Sequence, residues 1–176
     1  MDAASFKFYY SPLLEQVRLR ELKALDIMNS DAESSFDTIV DLAAAITQAP
    51  VAVISLLDES RQWFKARVGL DVPETPRSIA FCDHTIRSDE PMIIEDALED
   101  PRFAQNPLVL SQPCIRFYGG FPLKLRTGSR PGALCVIGSQ PRTLSQPQIV
   151  QLKLLAAITA ELMQMRAATR RANALA

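Results

Sequence analysis

The chain has 176 residues, 48% of them hydrophobic, with 19 Lys and Arg set against 20 Asp and Glu for a net charge of −1. This length points to one domain that buries roughly 70% of its unfolded surface without needing disulfides or metal. Balanced charge offers no basic field for nucleic acid, and no apolar run approaches the roughly 20 residues that span a membrane.

The opening MDAASFKFYY is too polar and aromatic for a secretory signal, so the expected compartment is the cytoplasm. A single histidine, His84, excludes a site built from several His ligands. Cys82, Cys114 and Cys135 are widely spaced, without a CxxC pair, and fit free thiols in a reducing compartment. The glycine motifs of P-loop, dinucleotide and esterase sites are absent.

Ser11-Pro12 supplies a cap and a first-turn proline, and Leu13, Leu14, Val17, Leu22 and Leu25 follow at helical spacing. A polar turn over 26–34 precedes a second helix. Ser34 and Asp37 resemble a capping box at its start, Phe36, Ile39, Val40, Ala43 and Ala44 form its apolar face, and Pro50 stops it. Val51 to Leu57 then reads as a central strand, Asp58 to Arg61 as a tight turn, and the next run as the second arm of a hairpin. Strict alternation puts Phe64, Ala66 and Val68 on one face and Trp63, Lys65 and Arg67 on the other.

Residues 70–114 hold six of the 12 prolines, which forbids long helices or central strands. A short helix at 83–88, a short strand at 92–95 and a turn near 101–105 are expected inside this excursion, which reads as a cap or binding loop. Strand character returns over Ile115 to Leu125, with Phe117, Gly119, Phe121, Leu123 and Leu125 on one face and a break in the ladder at Pro122. Ala133 to Ile137, apolar at every position, reads as another central strand. Ser145 and Gln148 form a capping box flanked by Leu144 and Ile149. A helix over 146–171 follows, with Leu152, Leu155, Ile158, Leu162 and Met165 as its apolar stripe and Arg166, Arg170 and Arg171 near its end. At about 1.5 Å per residue it outruns a small sheet, so its end should project or pair.

The ordered motifs are Phe36-Asp37, VAVISLLDESRQWFKARVGL at 51–70, ETPRSIAFCDHTI at 74–86, EDALEDPRFAQNPLV at 95–109, IRFYGGFPLKL at 115–125 and PGALCVIGSQPRTLSQPQ at 131–148. As a set with these intervals the chain resembles a GAF domain, of the type at the input end of bacterial sensor histidine kinases and diguanylate cyclases. The resemblance implies an α+β, PAS-like fold. Its antiparallel sheet of about five to six strands carries the N- and C-terminal helices on one face and the irregular cap on the other. It also implies an N-terminal helical extension at 1–17, the domain at 18–165, and the end of a signalling helix at 166–176.

What the resemblance implies for function is a non-enzymatic regulatory domain that senses a small molecule or dimerises. It would form a homodimer through helices 12–27 and 146–171 and act on an output domain or partner protein. A pocket under the cap would be lined by Trp63, Phe81, Cys82, Phe103 and Tyr118, with His84, Asp96, Arg102 and Arg116 as polar contributors. No cofactor is expected. Covalent bilin is disfavoured because Cys82 is followed by Asp83 rather than His, and Arg102 stands where another chromophore group places Cys. The asparagine-lysine-phenylalanine signature of cyclic-nucleotide-binding members is missing too. Two alternatives remain. One is a thiol enzyme resembling free methionine-(R)-sulfoxide reductase and acting through Cys82 and Cys114, with Cys135 as a buried small hydrophobe. The other is a ligand-free dimerisation module.

Overall fold

Helix α1 (Pro12–Ala24) begins where Ser11 Oγ accepts the amide of Leu14 and Pro12 fills the first helical position. The computed structural model describes residues 11–176, so MDAASFKFYY, and with it most of the expected 1–17 extension, lies outside the described residues. Helix α2 (Ser34–Thr47) is capped by Glu33, one residue earlier than the sequence pattern indicates. The expected Ser34–Asp37 capping box therefore does not form, because Ser34 is already helical. The Glu33 carboxylate instead receives Lys65 Nζ at 2.7 Å and Arg166 Nε at 2.6 Å.

The strands are β1 (Val51–Leu57), β2 (Arg61–Val68), β3 (Glu74–Pro76), β4 (Met92–Ile94), β5 (Phe117–Pro122) and β6 (Gly132–Gly138). They form one antiparallel sheet in the order β3-β2-β1-β6-β5-β4, which puts the two most apolar strands, β1 and β6, at the centre. Gly132 lets them meet, since a Cβ there would stand 1.8 Å from the carbonyl oxygen of Ser55. β5 ends at Pro122, where the missing amide donor costs the ladder least.

Each face of the sheet has its own core. On one, Leu22, Phe36, Ile39, Val40, Leu152 and Met163 from the helices cover Ile54, Leu56, Trp63, Phe117, Phe121 and Leu134. On the other, the cap residues Phe81, Cys82, Ile86, Phe103 and Ile115 cover Val53, Leu57, Phe64, Tyr118 and Cys135. The cap contains α3 (Cys82–Thr85), preceded by a 3-10 turn at Arg77–Ile79, and α4 (Pro107–Leu110). Helix α3 is shorter than the expected 83–88 span, and β3 and α4 are additions to it.

The hairpin corrects the strict alternation. The β1–β2 register runs Ser55 opposite Phe64 and Ile54 opposite Ala66, so Lys65 is an extra residue forming a β-bulge. Beyond the bulge the phase changes by one. Ala66 and Val68 pack with the helices as expected, but Phe64 turns to the cap and Trp63 to the helices. Lys65 is itself buried on the helix side, with its ammonium 5.2 Å from the Phe36 ring centre. It donates to Ser30 Oγ, the Asp31 carbonyl and Glu33 at 2.8, 2.6 and 2.7 Å.

Helix α5 (Gln146–Ala174) has the predicted capping box, with Ser145 and Gln148 satisfying each other's backbone amides. Its 29 residues make it about 43 Å long. The row facing the core is Leu152, Leu155, Ala156, Thr159, Ala160, Met163 and Ala167. Ile158 and Met165, expected in that stripe, are exposed, because steps of three from Leu152 lag the 3.6-residue turn. They lie with Val150 and Leu154 among the exposed apolar residues of this helix.

Candidate functional site

Two layers of side chains enclose a cavity of about 630 Å³ between the cap face of the sheet and the cap. The sheet contributes Val51, Val53, Gln62, Phe64, Tyr118 and Ile137, because alternate residues of its strands point this way. Leu70 and Val72 come from the return loop after Gly69, Phe81 and Cys82 from the start of α3, and Leu108, Gln112, Pro113 and Ile115 from the far wall. Gly69 adopts φ +73°, and its Cα faces Pro50 so closely that a Cβ would stand 1.9 Å from that residue's carbonyl oxygen.

Polar groups in this wall are few. Gln62 is buried, and its Nε2 donates to Thr75 Oγ1 at 3.0 Å. Its Oε1 is buried without a hydrogen-bond partner among the described residues. A buried amide oxygen left in this state costs about 1–3 kcal/mol. The charged groups among the described lining residues are Asp71 and Glu74, and Glu74 is paired with Arg61 at 2.7 Å.

Cys82 and Tyr118 make a polar cluster in the floor. Cys82 Sγ and Cys135 Sγ are 3.1 Å apart, and Tyr118 Oη lies 3.3 Å from each and 2.8 Å from Thr85 Oγ1. Burial pushes Tyr118 and Cys135 well above their ordinary ranges, and the neighbouring thiols add to that for Tyr118. Burial also works to raise Cys82, but hydrogen bonds from Cys135, Ser55 and Tyr118 outweigh it and draw the Cys82 thiol down.

Of the residues singled out in the sequence, Phe81, Cys82 and Tyr118 line the cavity. Phe103 is fully buried behind Phe81, its ring stacked at 4.1 Å, a pairing worth about 0.5–1.5 kcal/mol beyond the area it buries. His84 meets Phe103 edge-on at 4.9 Å and is not among the residues that line the cavity; burial lowers its pKa. Three further candidates are spent on ion pairs outside the lining. Asp96 and Arg116 hold each other at 2.6 and 2.5 Å, and Arg102 grips Asp100 at 2.9 and 2.6 Å while covering the Phe103 ring. Trp63 lies on the opposite face of the sheet, packed with the helices. Cys82 and Cys114 are not brought together, since Cys114 is exposed and the neighbour of Cys82 is Cys135.

Sequence reasoning passed over Gln62, Phe64 and Cys135. The bulge hid the first two. For Cys135, the signal was its position in an all-apolar strand, which reads equally as a core filler.

The cap is tied to the first helix by Arg77. Its Nη1 donates to Glu15 Oε1 of α1 at 2.6 Å and to the Asp58 carbonyl at 2.7 Å, and its Nε donates to Asp83 Oδ1 of α3 at 2.8 Å. Against the opposing effect of burial, these carboxylates push the guanidinium pKa up further. Among the described residues no group of three or more His, Cys, Asp or Glu side chains is arranged to hold a metal ion.

The comparisons agree with this architecture. The chain is 41% identical over 128 residues to a cyclic di-GMP phosphodiesterase of Pseudomonas aeruginosa, an alignment spanning 73% of this chain and 22% of that protein. The GAF domain of an Acinetobacter phosphoenolpyruvate-protein phosphotransferase superposes with a TM-score of 0.66 at 24% identity, covering 90% of this chain and 97% of that one. The GAF domain of Thermosynechococcus elongatus PixJ, in its blue-light absorbing form, gives 0.63 at 15% identity, covering 89% and 93%. A type II free methionine-R-sulfoxide reductase from Thermoplasma acidophilum gives 0.62 at 13%, covering 86% and 96%. At such identities these three share the fold. The model of the GAF domain matches residues 31–163, three-quarters of the sequence, and the chain belongs to the GAF family.

Proposed function

We propose that this chain is a non-enzymatic, small-molecule-sensing GAF domain of bacterial signal transduction. The observation that carries the reading is the cavity, whose wall is largely apolar and aromatic and includes Gln62, with its buried Oε1 lacking a hydrogen-bond partner among the described residues. Such a wall suits an uncharged or cationic apolar molecule with one N–H or O–H donor for Gln62. It does not suit phosphate, which calls for cationic partners where this lining offers Asp71 and Glu74. By the same reasoning this cavity does not suit cyclic di-GMP.

Occupancy would press on Phe81 and Cys82 at the start of α3 and, through Asp83 and Arg77, on Glu15 of α1. The terminal helices would carry the change to an output domain or partner protein. We place a homodimer contact on α1 and α5, which expose Leu13, Leu14, Val150, Leu154, Ile158 and Met165. No described helix is long and apolar enough to cross a membrane, and our reading of the compartment is cytoplasmic. The domain proper is taken as 18–165, with 166–176 as the C-terminal end of the signalling helix.

The test is a thermal-shift screen of neutral aromatic amides and amines against phosphate-bearing nucleotides, cyclic di-GMP included. A ligand at about 100 times its Kd adds about 2.7 kcal/mol to the native state. Stabilisation by an apolar donor, lost in Gln62→Leu, supports the reading. Stabilisation by the nucleotides that survives Gln62→Leu overturns it.

A further inference from the structure

We propose that Cys82 and Cys135 form an oxidisable dithiol in the floor of the cavity, a modification site for small hydroperoxides. The proposal rests on the placement of the two sulfurs and is independent of which ligand, if any, the cavity takes. They come from elements 53 residues apart, α3 and the central strand β6, yet their Sγ atoms stand 3.1 Å from each other. Bonding would bring them about 1 Å closer. Both belong to one packed cluster that includes Phe81, Tyr118 and Ala133, so the approach is held by the fold and not by a chance rotamer.

The two thiols are not equivalent. Cys82 lines the cavity, whereas Cys135 is fully buried behind it and does not. A small oxidant entering the cavity therefore reaches Cys82 first. Tyr118 Oη donates to Cys82 Sγ, and Cys135 lies within hydrogen-bond distance of the same sulfur; both contacts favour its thiolate.

The chemistry balances with a hydroperoxide as the oxidant. Cys82 thiolate attacks the distal peroxide oxygen, the O–O bond breaks, and the alkoxide or hydroxide leaving group takes up the thiol's proton. Cys82 becomes a sulfenic acid. Cys135 sulfur then attacks Cys82 Sγ, the S–O bond breaks, and hydroxide leaves as water with the Cys135 proton. The two thiols lose two electrons and two protons in all, and the peroxide is reduced to an alcohol, or to water, plus water.

The consequence is local and directional. A bond from Cys82 to Cys135 would fix the first turn of α3 to the sheet and take both thiols from Tyr118 Oη. The next residue, Asp83, is the one Arg77 holds while it holds Glu15 of α1. Oxidation would thus act on the same link between cap and α1 that a ligand would use.

The test uses the reduced full chain treated with a few equivalents of hydrogen peroxide or tert-butyl hydroperoxide, then denatured and alkylated. The alkylatable thiols should fall from three to one, with a mass loss of about 2 Da. Peptide mapping should join the Cys82 and Cys135 peptides and leave Cys114 alkylated. Dithiothreitol should restore all three thiols. Cys135→Ala should stop at a Cys82 sulfenic acid that dimedone traps. Cys114→Ser, a change at the exposed thiol, gives the same mapping test without touching the pair. A bond that includes Cys114, or Cys82 and Cys135 both still alkylatable after Cys114 has been oxidised, would overturn the proposal.

Discussion

Replacing Arg77 with Met should lower the unfolding free energy by about 2–3 kcal/mol. The Arg77 side chain is 14% exposed and donates charge-assisted or carbonyl hydrogen bonds to Glu15, Asp83 and the Asp58 carbonyl, among others. Met keeps most of the apolar stem, so packing loss is small. Breaking a buried pair from one side costs about 3–5 kcal/mol when the remaining charge is stranded. Here neither carboxylate is stranded: Glu15 retains Arg18 at 2.7 Å, and Asp83 retains Arg87. This moves the expectation below that range. With a urea slope of about 2 kcal/mol per molar, the midpoint should drop by about 1–1.5 M. A double-mutant cycle with Glu15→Gln should give a coupling of about 1 kcal/mol. A midpoint shift below about 0.3 M, or strict additivity in the cycle, would refute the claim that Arg77 ties the cap to α1.

Acid should destabilise the protein in two stages, read as urea midpoints from pH 8 to pH 3. Burial lowers the His84 pKa, so the folded state resists its protonation, and stability declines as pH falls below its ordinary value of 6.5; His84→Gln should remove this stage. Asp89, Asp100, Glu33 and Asp58 also have lowered pKa values. Hydrogen bonds from Lys124 and Arg102 lower the first two, and for Glu33 and Asp58 the Lys65, Arg166 and Arg61 bonds outweigh an opposing effect of burial. Their contribution is complete above the ordinary values of 3.8 and 4.5 and is lost as pH falls through the lower folded values, which gives the steeper second stage. On α5, Leu154→Glu and Ile158→Glu should convert a dimer to a monomer in light scattering. Each should change stability by less than about 0.5 kcal/mol, since the residues are 60% and 51% exposed. A wild-type chain that is monomeric across micromolar concentrations would remove the helix-pairing proposal.

What could be read from the sequence follows the range of the interaction concerned. Ser11-Pro12 and Ser145 with Gln148 announce their helices because a cap is settled within four residues. Phe117 and Phe121 of β5, and Leu123 just past its end, fall on the helix face as their alternation requires. Edge strand β3 was hidden because its three residues follow Pro73, end on Pro76 and pair only with β2. The Glu33 cap was hidden because its side chain is drawn off by Lys65 and Arg166, which lie 32 and 133 residues away. For the site, the aromatic motif around Phe81 and Cys82 located the cavity wall. Its other members depend on a sheet register that no local pattern encodes.

Lys65 shows how a sheet can hold one residue too many. Were it removed, Trp63, Phe64, Ala66 and Val68 would alternate in ordinary fashion and occupy the faces they occupy now. The bulge therefore acts as an insertion that the ladder absorbs without turning either aromatic. The surplus residue is freed from pairing duty, and its side chain becomes a strut from the sheet to the loop before α2 and, by way of Glu33, to α5. Spacing along β2 and attachment between layers are thus set by the same residue.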